Sequence, residues 1–307
     1  MGQRQKKGRP ISGWLILDKP LGMTSTQAVS VVKRIFGAQK AGHAGTLDPL
    51  ATGLLPIALG EATKTVPYVM DGRKIYGFTV RWGEETTTDD AEGAVVAQSD
   101  LRPSRAAIEA VLPQFIGTIM QVPPAFSAIK IDGERAYDLA RDGEDVQLEP
   151  RPIEVHRLDL VDMPDDNTAV FAAECGKGTY VRALARDMGR LLGTRGHVAN
   201  LRRLLVGPFD EASMVKLDAL RDAQAEGGFE QVDPMLAPVE TALSDLREIR
   251  IGEMEAARLR NGQPFILRGR DAPLAGETVF ATQAGTLIAI GSIEQGSFQP
   301  LRVFVGE

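Results

Sequence analysis

The sequence predicts an α+β fold in two units. A large unit over residues 11–247 is built on an extended mixed or antiparallel sheet with flanking helices, and a small β-rich, barrel-like unit follows over residues 248–307. Three observations carry this. The chain has 307 residues, enough for two domains at about 150 residues each. Strand-like and helix-like segments are mixed, without the regular alternation of a doubly wound parallel sheet. Beyond a connector containing Pro234 and Pro238, the pattern changes to short apolar runs divided by Gly and Pro.

Taken in order, residues 13–17 form a short buried strand, stopped by Lys19-Pro20 and Gly22. Ser25 or Thr26 caps a helix through Phe36, with Val29, Val32 and Ile35 on one face. Residues 74–82 alternate as a strand, and β-branched residues continue around Val95-Val96. Ser104 caps a helix of about ten residues carrying Ile108, Val111 and Leu112. Pro123-Pro124 interrupts the chain, and residues 136–141 read as a short helix. Residues 155–161 and 169–175 read as strands. From Tyr180 to Leu192, apolar Val181, Leu184, Ala185, Met188 and Leu192 recur at helical spacing. Residues 227–245 are a connector with a short helix, and residues 253–261 form another. Phe265-Ile-Leu, Thr278-Val-Phe, Leu287-Ile-Ala-Ile and Leu301-Arg-Val-Phe-Val are short strands.

Composition excludes several classes. Apolar residues make up 43% and charged residues 25%, the balance of a globular chain with a real core. A single cysteine, Cys175, forbids a disulfide framework and cysteine-based zinc sites, and fits a reducing compartment. His43, His156 and His197 show no metal-ligand spacing, so no metal is expected. No stretch approaches 18 apolar residues, and no secretory signal follows the basic start, so the expected location is the cytoplasm. Net charge is −6, but it is unevenly spread. Residues 84–100 carry six acids and no base; residues 177–206 carry seven bases against one acid. The basic run reads either as a solvated helix face or as a phosphate-tracking surface.

The most informative stretch is Gly42-His43-Ala44-Gly45-Thr46-Leu47-Asp48-Pro49-Leu50-Ala51-Thr52-Gly53-Leu54-Leu55-Pro56. On its residues alone three readings stay open. Asp48 caps a short helix with Pro49 at the first position, ended by Gly53 and Pro56. A phosphate cradle is a second reading, but the Gly-Lys-Ser/Thr ending is absent. In the third, Asp48 is a reactive carboxylate. With a reference pKa of about 3.9 it is ionised at neutral pH, and a tight Gly-flanked loop presents it to an electrophilic sugar carbon. Hydrolytic glycosidases pair two carboxylates, and this loop holds no second acid.

This stretch, continued by Ile57-Ala-Leu-Gly-Glu-Ala-Thr-Lys64, resembles the signature motif of the TruB family of tRNA pseudouridine synthases. Gly13-Trp-Leu-Ile-Leu-Asp-Lys-Pro20 with Gly22-Met-Thr-Ser25 resembles the family's opening motif, and Lys74-Ile-Tyr76 its tyrosine motif. Pro123-Pro-Ala-Phe-Ser-Ala-Ile-Lys130, Gly178-Thr-Tyr-Val-Arg182-Ala-Leu and His197-Val-Ala-Asn-Leu-Arg-Arg203 are similar to three more. The end of the chain resembles the PUA-like appendage of the family, less specifically. Two departures stand out. Thr87 replaces a frequent acid, and Ala44 a frequent threonine.

The resemblance implies the pseudouridine synthase fold and the conversion of uridine 55 in the T loop of tRNA to pseudouridine, without cofactor or metal, by a monomer. Asp48 falls on the catalytic aspartate, attacking ribose C1′ or removing a proton from C2′. Tyr76 matches the active-site tyrosine that stacks on the flipped uracil, its hydroxyl a candidate for the late proton transfer. Arg182 matches the arginine that pairs with the catalytic carboxylate. His43, Tyr180 and Leu201 match substrate-contacting positions. Lys19, Lys64 and Lys130 join the bases of residues 177–203 as phosphate contacts. Residues 123–152 resemble an insertion that closes over RNA, with Gly133 and Gly143 permitting hinge motion. Two other functions remain against this one: a tRNA chaperone that does not need Asp48, and a nucleoside or glycoside hydrolase.

Overall fold

The structure is a computed structural model and describes residues 8–127, 129–131, 134–135, 148–267 and 274–304. Strand β1 (Gly13–Lys19) is buried along almost its whole length. Helix α1 (Ser25–Ile35) follows, capped by Thr24 rather than by Ser25 or Thr26. The Thr24 hydroxyl accepts the Gln27 N–H at 3.1 Å, and the Gln27 side chain accepts the Thr24 N–H at 2.9 Å. Only a cap at Thr24 places a Gln three residues on and closes this reciprocal box. Ser25 is turned inward: its hydroxyl donates to the Leu47 carbonyl and accepts the Leu47 N–H, tying α1 to the loop ahead of Asp48.

After β2 (Ala41–His43) and that loop, the chain enters β3 (Ala51–Leu59). The helix-cap reading of Asp48 is therefore corrected: a turn at residues 49–50 leads straight into a strand. Eight of the nine β3 residues are buried, as expected of a strand covered on both faces. Pro56 falls between Gly53, the last residue paired with a parallel neighbour, and Ile57, where β2 pairing begins. A residue without an N–H is tolerated in that gap.

A 3-10 turn and α2 (Val66–Asp71) lead to β4 (Lys74–Trp82), then to the paired β5 (Glu84–Thr86) and β6 (Val95–Gln98). Helix α3 (Arg105–Val111) is capped by Ser104 and is shorter than expected, because it tightens into a 3-10 turn at Leu112-Pro113. Strands β7 (Gly117–Gln121), β8 (Lys130–Ile131) and β9 (Glu134–Arg135) follow. The helix expected over residues 136–141 lies outside the described residues. Long β10 (Arg151–Asp165) and β11 (Thr168–Cys175) precede helix α4 (Val181–Leu191) and β12 (Gly196–Val206). Strand β13 (Val215–Lys216) and helices α5 (Leu217–Gly227) and α6 (Phe229–Val232) complete the large unit.

The main sheet has nine strands in the order β13-β1-β3-β12-β4-β11-β10-β7, with β2 on β3. The β1–β13 and β3–β12 pairs are parallel and the others antiparallel, so the sheet is mixed. Its core runs through Leu15, Leu17, Phe78, Phe171, Leu184 and Val198. A second sheet is made by β14 (Arg247–Arg250), β15 (Phe265–Ile266), β16 (Thr278–Gln283), β17 (Thr286–Glu294) and β18 (Ser297–Val303), with α7 (Glu253–Arg260). Its order is β14-β16-β17-β18-β15, a partly closed barrel consistent with a PUA-like domain. It begins at Arg247, one residue ahead of the expected boundary. Its outer apolar residues Phe280, Ile290 and Phe304 pack with Leu243, Leu246 and Tyr68, joining it to the segment that follows β3.

Gly53 shows how closely β3 and β12 approach. Its φ is +91°, and a Cβ there would lie 2.3 Å from the Arg203 carbonyl oxygen. Gly53→Ala is expected to destabilise the protein by at least ~2 kcal/mol in chemical denaturation. Gly77→Ala, whose Cβ meets only the Leu204 side chain at 3.8 Å, is expected to change stability by less than ~1 kcal/mol.

Candidate active site

Asp48 lies on the loop between β2 and β3, and that loop is tied down from several directions. Gly45 takes φ +96°. The Ala51 N–H donates to the Asp48 carbonyl at 3.1 Å, and the Gly22 N–H to the Pro49 carbonyl at 2.9 Å. The Lys19 ammonium donates to the carbonyls of Pro20, Met23 and Pro49. On the other side, Arg203 donates from Nη2 to Gly45 O at 3.0 Å and from Nη1 to Thr46 O at 3.4 Å.

The Asp48 carboxylate meets Arg182 Nε at 3.0 Å; its side chain is 36% exposed and that of Arg182 6%. So the acid faces outward while its cation is buried. Arg182, in the first turn of α4, uses its other nitrogens on the Thr88 carbonyl at 2.9 Å, the Phe126 carbonyl at 3.0 Å and the buried Asp90 carboxylate at 3.4 Å. A guanidinium spent in this way has little freedom to leave Asp48. Loss of solvent raises the Asp48 pKa above the ordinary carboxylate value, Arg182 pulls it back, and the Asp90 charge pushes it up again.

Tyr76, on β4, is buried. Burial raises its pKa, and the Arg203 charge opposes the rise. Tyr180 is the residue before α4 and is half-buried. Its backbone is clasped by the buried Gln121: the Tyr180 N–H donates to Oε1 at 2.9 Å, and Nε2 donates to the Tyr180 carbonyl at 3.1 Å. The Asp48 charge acts on both phenols. Leu201 is buried on β12, in register with Ala51 and Phe78. His43 ends β2 half-buried; burial and the Arg203 charge lower its pKa, favouring the neutral ring at pH 7.

Two of the three lysines expected on phosphate have other partners, and the third is not described at its side chain. Lys19 is fully buried, its ammonium on three carbonyls and its pKa lowered to about 8 by burial; it clamps the loop and is not placed to meet a phosphate. Lys64 pairs with Glu61, donates to the Val303 carbonyl at 2.8 Å and lies 5.3 Å from the Phe304 ring centroid. Its charge is spent at the junction of the two sheets, away from Asp48. Lys130 opens β8, and its side chain lies outside the described residues.

The basic segment is also corrected. Arg186 pairs with Asp89 at 2.9 Å and Asp187 at 2.8 Å, and donates to the Val122 carbonyl. Arg190 pairs with Glu85, Arg202 with Asp18, and Lys177 with Asp71. The acidic segment thus faces α4, and much of the basic run is neutralised within the protein. A buried guanidinium needs such partners. Burial pushes Asp89 up to about 6 against the pull of Arg186. Arg203, expected among the phosphate contacts, is instead buried on carbonyls of Gly45, Thr46 and Leu54. Asp90 and Gln121 are site residues that single-residue reasoning missed; the opposed charges of the two segments were the available signal for Asp90.

An outward carboxylate paired to a buried cation, flanked by two phenols and a neutral imidazole, can attack a sugar carbon or take a proton from it. The fold and this site define a pseudouridine synthase, an isomerase of uridine in RNA. The fold is shared with a chain of a solved Cbf5–Nop10–Gar1 complex, at a TM-score of 0.74 and 26% identity over 95% of this chain and 84% of that one. It is shared also with a solved H/ACA RNP bound to a substrate RNA, at a TM-score of 0.76 and 24% identity over 99% and 92%. Residues 33–181 match the TruB family pseudouridylate synthase N-terminal domain, and residues 182–244 the tRNA pseudouridylate synthase B C-terminal domain. A tRNA pseudouridine synthase B of Bradyrhizobium diazoefficiens is 63% identical over 98% of this chain and 88% of that protein. One of Agrobacterium fabrum is 60% identical over 98% and 97%. The chain belongs to the TruB family of pseudouridylate synthases.

Arg182→Gln removes the cation beside Asp48 and leaves Asp90 opposite it. The Asp48 pKa then rises further, and the ionised fraction is lost at a higher pH. The acid limb of the single-turnover pH–rate profile is expected to move to higher pH, with a rate loss of about 10²-fold or more at neutrality.

Proposed function

We propose that this protein isomerises uridine 55 in the T loop of tRNA to pseudouridine. Asp48 carries the reading: a loop carboxylate held outward by a buried arginine. The relatives named tRNA pseudouridine synthase B support the choice of RNA. The target uridine leaves its stack to be reached. Its ring then meets Tyr76, with Leu201 behind it and His43 and Tyr180 at the sides. Asp48 attacks C1′ and displaces uracil, or removes the C2′ proton to the same end. The free uracil turns in place and C5 bonds to C1′ as the Asp48 carboxylate is released or the C2′ proton is returned. The C5 proton then passes to water through the Tyr76 hydroxyl, which gives up its own proton as it takes this one, and N1 takes up a proton. Nothing is added or lost in the net reaction.

Residues 11–247 form the catalytic unit in this reading and residues 248–307 an RNA-gripping unit. The expected closing segment over residues 123–152 lies partly outside the described residues, as do its Gly133 and Gly143. The chain works as a cytoplasmic monomer. Among the described residues no helix is long and apolar enough to cross a membrane, and no group of three or more His, Cys, Asp or Glu is arranged to hold a metal ion. That the reaction needs neither metal nor cofactor is what the family resemblance implies.

The test is tritium release from a T-arm transcript labelled at uridine C5. Wild type is expected to release tritium with the RNA mass unchanged, and Asp48→Asn to release none while still binding RNA. Free uracil and a lighter RNA would mean a hydrolase. Intact binding with no release from wild type would leave a chaperone.

A further inference from the structure

We propose that Arg203 is a positioning residue: its buried guanidinium holds the turn that carries Asp48 and the hydroxyl of Tyr76 in one rigid frame. The proposal rests on the isomerase reading of the site. Arg203 is 1% exposed and has no carboxylate within ion-pairing distance in the described structure. A buried cation in that position is tolerated only if acceptors surround it. Here the acceptors are backbone carbonyls from both ends of the catalytic loop. Nε donates to Leu54 O at 2.8 Å, beyond Asp48, while Nη2 and Nη1 reach Gly45 O and Thr46 O ahead of it. One planar group therefore fixes the entry and the exit of the loop.

The same group faces Tyr76. In the β12–β4 ladder Arg203 is the residue directly opposite Tyr76, so both side chains leave the same face of the sheet. In the β12–β3 ladder it is opposite Gly53, whose missing Cβ permits the approach. Three strands thus meet at Arg203. The Arg203 charge opposes the rise that burial imposes on the Tyr76 phenol, as expected of two side chains that face each other across the ladder. The Arg203 charge also reaches Lys19, His43 and Lys74, lowering the pKa of each, while Asp48 lies on its attractive side. A planar fork with five N–H donors can serve several acceptors at once. An ammonium, being a point donor on a flexible stem, cannot reproduce that geometry.

The experiment is a double-mutant cycle with Arg203→Lys and Tyr76→Phe, read as the single-turnover rate at saturating T-arm RNA and as the RNA Kd. Arg203→Lys is expected to lower the rate by ~30-fold or more with Kd within about threefold of wild type. In the Tyr76→Phe background the further loss from Arg203→Lys is expected to be much smaller, because the shared contact is already gone. Equal fold-losses in both backgrounds, or a weakened Kd that accounts for the whole effect, would overturn the proposal. A second readout needs no activity. With tyrosine labelled at ¹³Cζ, the Tyr76 resonance is assigned by its disappearance in Tyr76→Phe and is expected to shift in Arg203→Lys relative to wild type. A stationary resonance in a folded Arg203→Lys protein would overturn the contact, whether or not wild type releases tritium.

Discussion

The structure around Asp48 depends on one constraint: a guanidinium taken out of water must find acceptors for its donors. Arg182, Arg186 and Arg203 are all buried, and each meets the constraint differently. Arg182 takes Asp48, Asp90 and two carbonyls, Arg186 takes Asp89, Asp187 and a carbonyl, and Arg203 takes three carbonyls. Because the acceptors come from distant parts of the chain, satisfying the cations assembles the site. The loop, the acidic segment, the root of the insertion at residues 122–126 and helix α4 are pinned to one another by these groups.

That arrangement explains a carboxylate that is both exposed and constrained. In the proposed reaction the acidic side chain must reach a sugar, so it cannot be fully enclosed, and it is 36% exposed. Its partner needs a fixed direction, so it cannot be mobile. Burying the cation and exposing the anion meets both needs. The Lys19 clamp on the Pro49 carbonyl and the Ser25 exchange with Leu47 serve the same end through the backbone. The Gln121 clasp does so for Tyr180.

Much of this architecture was legible in the residues because alternation and helical spacing are local. Strands β4 and β11 and helix α4 lie close to where their patterns put them. What escaped was decided by partners far along the chain. Asp48-Pro49 has the local look of a helix start, and only pairing with β1 and β12 makes the next residues a strand. Of the catalytic positions read from motif resemblance, Asp48 and Arg182 meet directly, and Tyr76 and Tyr180 lie within the field of Asp48. Lys19 escapes a reading from the residues because its acceptors are carbonyls, which no sequence pattern marks, whereas the Glu61 partner of Lys64 stands three residues away on the same turn. The pairing of residues 84–100 with α4 was within reach. Arg182, Arg186 and Arg190 recur every four residues, which puts them on one helical face, and the acids Glu85, Asp89 and Asp90 that meet them lie within a run of six acids without a base.

The neutralised face of α4 bears on how RNA affinity responds to salt. Binding of a polyanion gains from the small cations it sheds, and that gain scales with the protein charges that take their place. An arginine already matched to Glu85, Asp89 or Asp90 brings little unmatched charge to such an exchange. The ionic-strength dependence of RNA binding therefore belongs to cations elsewhere on the surface. What α4 contributes instead is a preset geometry, which added electrolyte scarcely weakens at Arg182–Asp90 and Arg186–Asp89, because those pairs are shielded from solvent.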